Sequence, residues 1–142
     1  FSKGLGAPMG ACIAGNAEMI DKAWLWKHRL GGAMRQSGLM AAAAIYALDE
    51  NVERLKHDHE RAKTLADALK ELGAAVVEPE TNIVFFDMTS CGKSNYEFLQ
   101  KLSEKDIQMS EIGNQIRAVT HLDIDDGDID SVINAMNQVV NS

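Results

Sequence analysis

The segment TNIVFFDM, residues 81–88, is the clearest strand in the sequence, because four consecutive apolar residues, two of them aromatic, lie between polar ends. A second strand is predicted in AAVVE, residues 74–78, and a proline separates the two segments. Further along the chain, QMSEIG (108–113) and QIRAVTH (115–121) are predicted to form a hairpin around a Gly-Asn pair. These four segments predict a short antiparallel sheet.

Helices are predicted on either side of these strands. One begins at Ser94, which has a glutamate three residues later and so fits a capping box. The last helix is expected to be capped near Asp128, and a long amphipathic helix is expected to be capped by Asn51 and to end at Gly73. Strands followed by helices on one face predict a small α+β domain.

The first third of the chain has a different pattern. MGACIAG, residues 9–15, is predicted to be a short strand, and helices are predicted at 16–30 and 34–48. Residues 1–48 are therefore expected to be the edge of a large domain, and residues 49–142 to form a small α+β domain. The predicted fold class is α/β with this small domain at its C-terminal end.

Composition limits the possible partners and surroundings. The 142 residues are 46% apolar and 25% charged, which is typical of a soluble globular protein. A net charge of -7 argues against nucleic acid and anionic membranes, which need clustered lysine and arginine. Cys12 and Cys91 are far apart in sequence, which favours a reduced compartment, the cytoplasm. Because the chain begins at Phe1 within a glycine-rich loop, it is expected to be a piece of a longer protein.

The sequence predicts no metal site. HLDIDDGDID, residues 121–130, resembles a calcium loop only loosely, because its glycine is at the fifth place counted from Asp123 and the twelfth place is Asn134 instead of glutamate. An Asp-rich helix start explains it better. His57 and His59 are two residues apart on a predicted helix and face different directions, so they are predicted to be surface residues.

Lys3 is the most unusual cation in the sequence. It is followed by Gly4, Gly6 and Gly10, with Pro8 between them, which predicts a tight and irregular turn. The other lysines lie in polar, helical surroundings. A lysine in such a turn is predicted to have a specific role.

Two arginines are further candidates for a binding site. In QIRAVTH, alternate residues share a face of the strand and neither face is plainly polar, so Arg117 is predicted to be partly buried and to need an anion. That anion is either a ligand or an internal carboxylate. Arg35 precedes a helix and follows Gly31 and Gly32, a position that suits a phosphate, although an exposed first-turn arginine fits equally well.

In the order and spacing of several segments, the chain resembles the C-terminal half of the low-specificity threonine aldolases, pyridoxal-phosphate enzymes of the aspartate aminotransferase fold type, fold type I. These segments are SKGLGAPMG, GGAMRQSG before AAAAIYAL, NVERL, TNIVFFD and IRAVTH. The resemblance implies a pyridoxal 5′-phosphate cofactor, a small amino-acid substrate and a homo-oligomer, either a dimer or a tetramer. It also implies a preceding N-terminal segment of the same protein that carries the rest of the cofactor site.

The resemblance also implies roles for individual residues. In that family, the lysine of SKGLGAP, here Lys3, forms the Schiff base with the cofactor. The arginine corresponding to Arg117 binds the substrate carboxylate. The one corresponding to Arg35 lies near the cofactor phosphate or the substrate, in either case that of a neighbouring subunit. The loop geometry alone suggests Ser2 and the amide of Gly4 as further phosphate contacts. The implied reaction is retro-aldol cleavage of threonine or allo-threonine to glycine and an aldehyde, a step of threonine breakdown and glycine formation.

Two departures from the family pattern lie in KHRLGGA, residues 27–33, where His28 replaces a lysine and Ala33 replaces a third glycine. Two alternatives also remain open. One is another fold-type-I reaction on amino acids, namely racemisation, transamination or decarboxylation. The other is a module without catalytic activity, in which the glycine-rich start is a linker and Arg117 belongs to a structural ion pair.

Overall fold

The computed structural model describes residues 1–141 and divides the chain into two compact units, Phe1–Val52 and Glu53–Ser142. The first unit contains a 3₁₀ turn, Lys3–Leu5, and two helices, α1 (Ala17–Arg29) and α2 (Gly38–Glu50). No helix within residues 1–141 is both long and apolar enough to span a membrane.

Two predictions for the first unit were wrong. Residues 9–15 form no strand, because a strand needs a hydrogen-bonding partner and none of the described residues of this unit provides one. The second helix begins at Gly38 rather than at Met34, since residues 35–37 form a turn in which Gln36 has a positive φ of 51°. A residue in that conformation cannot continue a right-handed helix.

The second unit contains the predicted antiparallel sheet and three helices. Its helices and strands are α3 (Leu55–Glu71), β1 (Ala75–Val77), β2 (Ile83–Asp87), α4 (Asn95–Ser103), β3 (Ser110–Ile112), β4 (Gln115–Val119) and α5 (Asp126–Val140). The strand order is β1-β2-β4-β3, and every neighbouring pair is antiparallel. The hairpin and the α+β character of this unit are confirmed.

The predicted helix caps are confirmed at two of three positions. The Ser94 side chain accepts a hydrogen bond from the amide of Glu97 at 3.4 Å, and Asp125 and Asp128 form a capping box at the start of α5. Asn51 was wrongly predicted to begin α3. It follows the end of α2, and its side-chain nitrogen donates to the carbonyl oxygen of Leu5 at 2.8 Å, so it is not available as an N-cap.

The core of the second unit lies between one face of the sheet and all three helices. The fully buried residues include Val84 and Phe86 of β2 and Ile116 of β4, and the Phe86 and Phe98 rings meet edge to face at 6.3 Å. Because side chains alternate along a strand, the residues between these point away from the core. Arg117 therefore lies on the opposite face of the sheet.

Candidate functional site

The turn that carries Lys3 has an unusual backbone. Lys3 has a φ of 63°, a left-handed value that is uncommon for a residue with a side chain. The amide of Gly6 donates to the carbonyl oxygen of Lys3, and the amide of Ala7 donates to that of Phe1, both at 2.9 Å. Gly4 is buried inside the turn. These contacts hold the Lys3 backbone in a conformation that costs energy, which is a common property of functional positions.

The side chains of Ser2 and Lys3 are available for a ligand. Both residues are exposed, and the Ser2 hydroxyl makes no capping bond to the turn that it precedes. The Lys3 amine forms no ion pair within residues 1–141. This part of the chain thus combines a fixed backbone with a free primary amine.

Arg35 lies in the turn that leads into α2. It is exposed, and its guanidinium forms no ion pair with the described residues. Ser37, the residue before α2, makes no side-chain capping bond, so the first amides of this helix are not capped by it. An unpaired arginine beside the positive end of a helix can bind an anion.

Arg117 lies in the middle of the outer face of the sheet. In the strand register it is opposite Phe85 of β2 on one side and Ser110 of β3 on the other. It is half-buried, and none of the carboxylates of residues 1–141 forms an ion pair with it. The internal ion pair that the sequence left open is therefore not formed by the described residues.

These candidates are distributed over the two units. Ser2, Lys3 and Gly4 share one turn of the first unit, and Arg35 precedes a helix of the same unit. Arg117 belongs to the second unit.

Sequence reasoning missed a buried charged cluster at the start of α3. The Asp58 carboxylate is fully buried and accepts two hydrogen bonds from Arg54, at 2.8 and 3.1 Å. Arg61 approaches the same carboxylate at 3.8 Å and donates to Asp126 at 2.6 Å. The sequence did contain a signal, because Asp58 precedes Ala62 by four residues on the apolar face of α3.

Other ionisable groups are mostly on the surface. His57 and His59 are exposed, as predicted. Within residues 1–141 there is no group of three or more His, Cys, Asp or Glu residues that could hold a metal ion. The backbone amide and then the hydroxyl of Thr89 donate to Asp87, at 2.9 and 2.7 Å, and these bonds lower the pKa of Asp87.

The comparison with protein families identifies the class of this chain. Residues 1–91, more than half of the chain, match the family described as Beta-eliminating lyase. The chain belongs to the beta-eliminating lyase family.

Several curated relatives of this chain are named threonine aldolase, the family that its sequence resembles. It is 42% identical over 124 residues to a low specificity L-threonine aldolase of Escherichia coli K12, covering 87% of this chain and 36% of the relative. It is 39% identical over 145 residues to low-specificity L-threonine aldolase 1 of Arabidopsis thaliana, covering 99% of this chain and 40% of the relative. The resemblance to the threonine aldolases is confirmed, and the chain spans less than half the length of these relatives.

A relative with a different name also matches. The chain is 33% identical over 149 residues to the alanine racemase TOXG of Cochliobolus carbonum, covering 99% of this chain and 37% of that protein. Related sequences therefore carry the names of two different reactions.

Solved structures confirm the fold class. A NIFS-like protein aligns with a TM-score of 0.63 at 17% identity, over 77% of this chain and 35% of its own. A C-DES variant with glycine covalently linked to its PLP cofactor aligns with a TM-score of 0.57 at 23% identity, over 70% of this chain and 28% of its own. These neighbours are fold-type-I enzymes, and at such identities they show the fold alone.

Proposed function

We propose that this chain is the C-terminal part of a pyridoxal-phosphate-dependent lyase that cleaves L-threonine and L-allo-threonine to glycine and an aldehyde. The identity of about 40% to proteins named threonine aldolase supports this reaction. The observation that carries it is the left-handed backbone of Lys3, which presents an amine without an ion-pair partner among residues 1–141. A strained lysine with a free amine suits covalent attachment to an aldehyde.

The residues present fit the chemistry of this cofactor. Pyridoxal phosphate carries an aldehyde, which an amine can bind, and a phosphate, which needs cations and hydrogen-bond donors. The chain offers the amine of Lys3, the guanidinium of Arg35 and the hydroxyl of Ser2, all exposed. When bound, the cofactor supplies a ring that accepts the electron pair of the broken Cα–Cβ bond.

Each of these residues has a defined task in the proposal. Lys3 attaches the cofactor through its side chain while the turn keeps its backbone in place. Ser2, the amide of Gly4 and Arg35 hold the phosphate, because helix starts and arginines both favour anions. Arg35 does so for its own subunit or for a neighbouring one.

Arg117 binds the substrate carboxylate in this proposal. Its planar guanidinium donates two parallel hydrogen bonds to a carboxylate, which fixes the rotation of the amino acid as well as its position. Such positioning aligns the Cα–Cβ bond for cleavage and accounts for several kcal/mol of barrier in well-oriented reactions. No carboxylate among residues 1–141 pairs with Arg117, which leaves its side chain available for this role.

The organisation of the complete protein is part of the proposal. Residues 1–48 are the edge of a large cofactor domain and residues 49–142 the small domain. The enzyme works in the cytoplasm as a homodimer or homotetramer, within threonine breakdown and glycine formation. Its sequence departs from the family at His28 and Ala33, so a cationic contact from that segment is not proposed.

Racemisation of alanine is the second candidate, and the identity to the racemase TOXG favours it. The decisive experiment measures glycine release from threonine and allo-threonine, and alanine racemisation, with the same complete enzyme. Cleavage faster than racemisation supports the aldolase, and the reverse supports the racemase. The Lys3→Ala variant should lose either activity, whereas Lys56→Ala, which changes an exposed lysine of α3, should retain it. Failure of the wild-type enzyme to bind pyridoxal phosphate would reject both.

A further inference from the structure

A buried charged residue connects α3 to the strand that carries Arg117. The side chain of Asp58 is fully enclosed and bonded at two points to Arg54. Its main-chain carbonyl oxygen accepts a buried hydrogen bond from the Thr120 hydroxyl at 2.7 Å. Thr120 follows the last residue of β4, so one residue of α3 anchors the end of this strand.

Thr120 is also bonded to the residue that precedes β2. Its amide donates to the carbonyl oxygen of Asn82 at 3.0 Å, and the Asn82 side chain donates to the carbonyl oxygen of Thr120 at 2.8 Å. The Thr120 hydroxyl also donates to the Asn82 carbonyl oxygen at 3.4 Å, so four hydrogen bonds hold Thr120, one to α3 and three to Asn82. Asn82 belongs to the TNIVFFD segment and Thr120 to the IRAVTH segment. The hydrogen bonds between these two residues therefore connect the two segments.

From these contacts we infer that Asp58 and Thr120 are positioning residues, which hold the end of β4 and thereby place Arg117 for the substrate carboxylate. The inference rests on the proposed function of Arg117. Arg117 lies three residues before Thr120 on the opposite face of the strand, so the two side chains do not share a face. Thr120 therefore acts through the backbone of β4.

Two physical arguments support a positioning role. First, no ion pair within residues 1–141 holds the Arg117 guanidinium, so its placement depends on the strand itself. Second, a buried ion pair adds little net stability compared with apolar packing, because removing two charges from water is costly. The Arg54–Asp58 pair, extended by Arg61 to Asp126 of α5, does fix the geometry of α3 where Thr120 binds it.

The test compares three variants of the complete enzyme. Thr120→Val removes the hydroxyl at almost constant volume, Thr120→Ser keeps it, and Thr64→Val removes a hydroxyl from the exposed side of α3 as a matched control. We expect Thr120→Val to raise KM for threonine roughly threefold to tenfold with kcat nearly unchanged. A change of this size is equivalent in free energy to about one hydrogen bond. Amide hydrogen exchange of β4 should become faster in this variant. Thr120→Ser and Thr64→Val should match the wild type in both measurements.

A purely structural role predicts a different result. Thr120→Val would then lower the melting temperature, speed amide exchange throughout the second unit rather than selectively in β4, and leave KM unchanged, which would overturn the inference. If Thr120→Val does not fold, Arg54→Lys replaces it, because it keeps the charge and loses the two-point contact with Asp58. A similar rise in KM supports the inference, and an unchanged KM contradicts it.

A double-mutant cycle separates this inference from the proposed function. If Thr120 acts through Arg117, adding Thr120→Val to Arg117→Lys should change KM by less than about twofold, because the effects are not additive. If Arg117→Lys alone leaves KM unchanged, the proposed role of Arg117 fails and the inference fails with it. If Arg117→Lys raises KM and Thr120→Val does not, only the inference fails.

Discussion

The amide of Gly6 donates a hydrogen bond to the carbonyl oxygen of Lys3 at 2.9 Å, and both residues have left-handed backbones, with φ values of 76° and 63°. Glycine adopts this conformation without steric cost, whereas lysine does not. Gly6 therefore adopts its backbone conformation without strain, whereas the turn holds Lys3 in a conformation that lysine disfavours. This difference suggests that the side chain at position 3 is present for its chemistry.

The first prediction is that the cofactor is attached to Lys3. Borohydride reduction of the complete enzyme with bound pyridoxal phosphate, followed by peptide mapping, should place the label on Lys3. The exposed Lys56 and Lys63 of α3 serve as internal controls and should remain unlabelled. Stoichiometric label on any lysine other than Lys3 would exclude the assignment.

The second prediction concerns the energetic cost of this lysine. Lys3→Gly removes the side chain that disfavours a positive φ, so it should abolish activity and raise the free energy of unfolding by roughly 0.5–1 kcal/mol. Both proteins are compared without cofactor, because bound cofactor would stabilise the wild type alone. Lys63→Gly, at an exposed position in the middle of α3, should instead lower the free energy of unfolding by about 1 kcal/mol. A destabilised Lys3→Gly protein would show that the turn stores no such strain.

A third prediction separates backbone strain from packing at two glycines of the second unit. Gly73 and Gly92 have similar positive φ values of 86° and 79°, but a Cβ at Gly73 would lie 3.2 Å from the Cβ of Cys91, whereas one at Gly92 would meet nothing within 4 Å. Gly92→Ala should lower the free energy of unfolding by roughly 1–2 kcal/mol, the cost of a left-handed alanine. Gly73→Ala should lower it further, because Cys91 must move. Equal losses in chemical denaturation would mean that the contact with Cys91 has no energetic effect.

A fourth prediction follows from Asp87, whose pKa is lowered mainly by the amide and hydroxyl of Thr89. Because the folded state has the lower pKa, the resulting stability is present above the unfolded-state value and is lost as the pH falls through the folded-state value. The midpoint of Asp87 in a carboxyl NMR titration should therefore lie below the usual 3.8. Thr89→Val removes the hydroxyl bond and should raise this midpoint, whereas Thr64→Val should not. An unshifted midpoint in Thr89→Val would show that the hydroxyl bond does not lower the pKa.

The sequence predicted the second unit more accurately than the first for a physical reason. Its strands pair with one another and its helices cover them, so the alternation around Phe86 and Ile116 reflects contacts that this unit makes by itself. In the first unit, the apolar residues 9–15 suggested a strand, but a strand also requires a partner, which local sequence does not reveal.

For the candidate site too, some features could be predicted from the sequence and others could not. The turn around Lys3 was predictable from its glycines, and the half-buried position of Arg117 from strand alternation. The left-handed φ of Lys3 itself was not, because lysine has no preference for it. The cluster around Asp58 was overlooked because charged residues on helices are usually exposed, although its spacing to Arg54 and Ala62 places all three near one face.

The last prediction tests whether Arg117 binds the substrate carboxylate. Arg117→Lys keeps the positive charge but loses the planar fork that donates two parallel hydrogen bonds. In the complete enzyme, kcat/KM for threonine should fall by about one to two powers of ten, which corresponds to roughly 1.4–2.8 kcal/mol. The absorbance of the bound cofactor should remain nearly unchanged, because Lys3, rather than Arg117, attaches it in this proposal.

The melting temperature of the same preparation decides between binding and scaffolding. Since Arg117 forms no ion pair within residues 1–141, replacing it with lysine breaks no ion pair between these residues, and the melting temperature should change little. A structural role would give the opposite pattern, with a lower melting temperature and normal activity per folded molecule. In that case the substrate carboxylate must be bound by another residue.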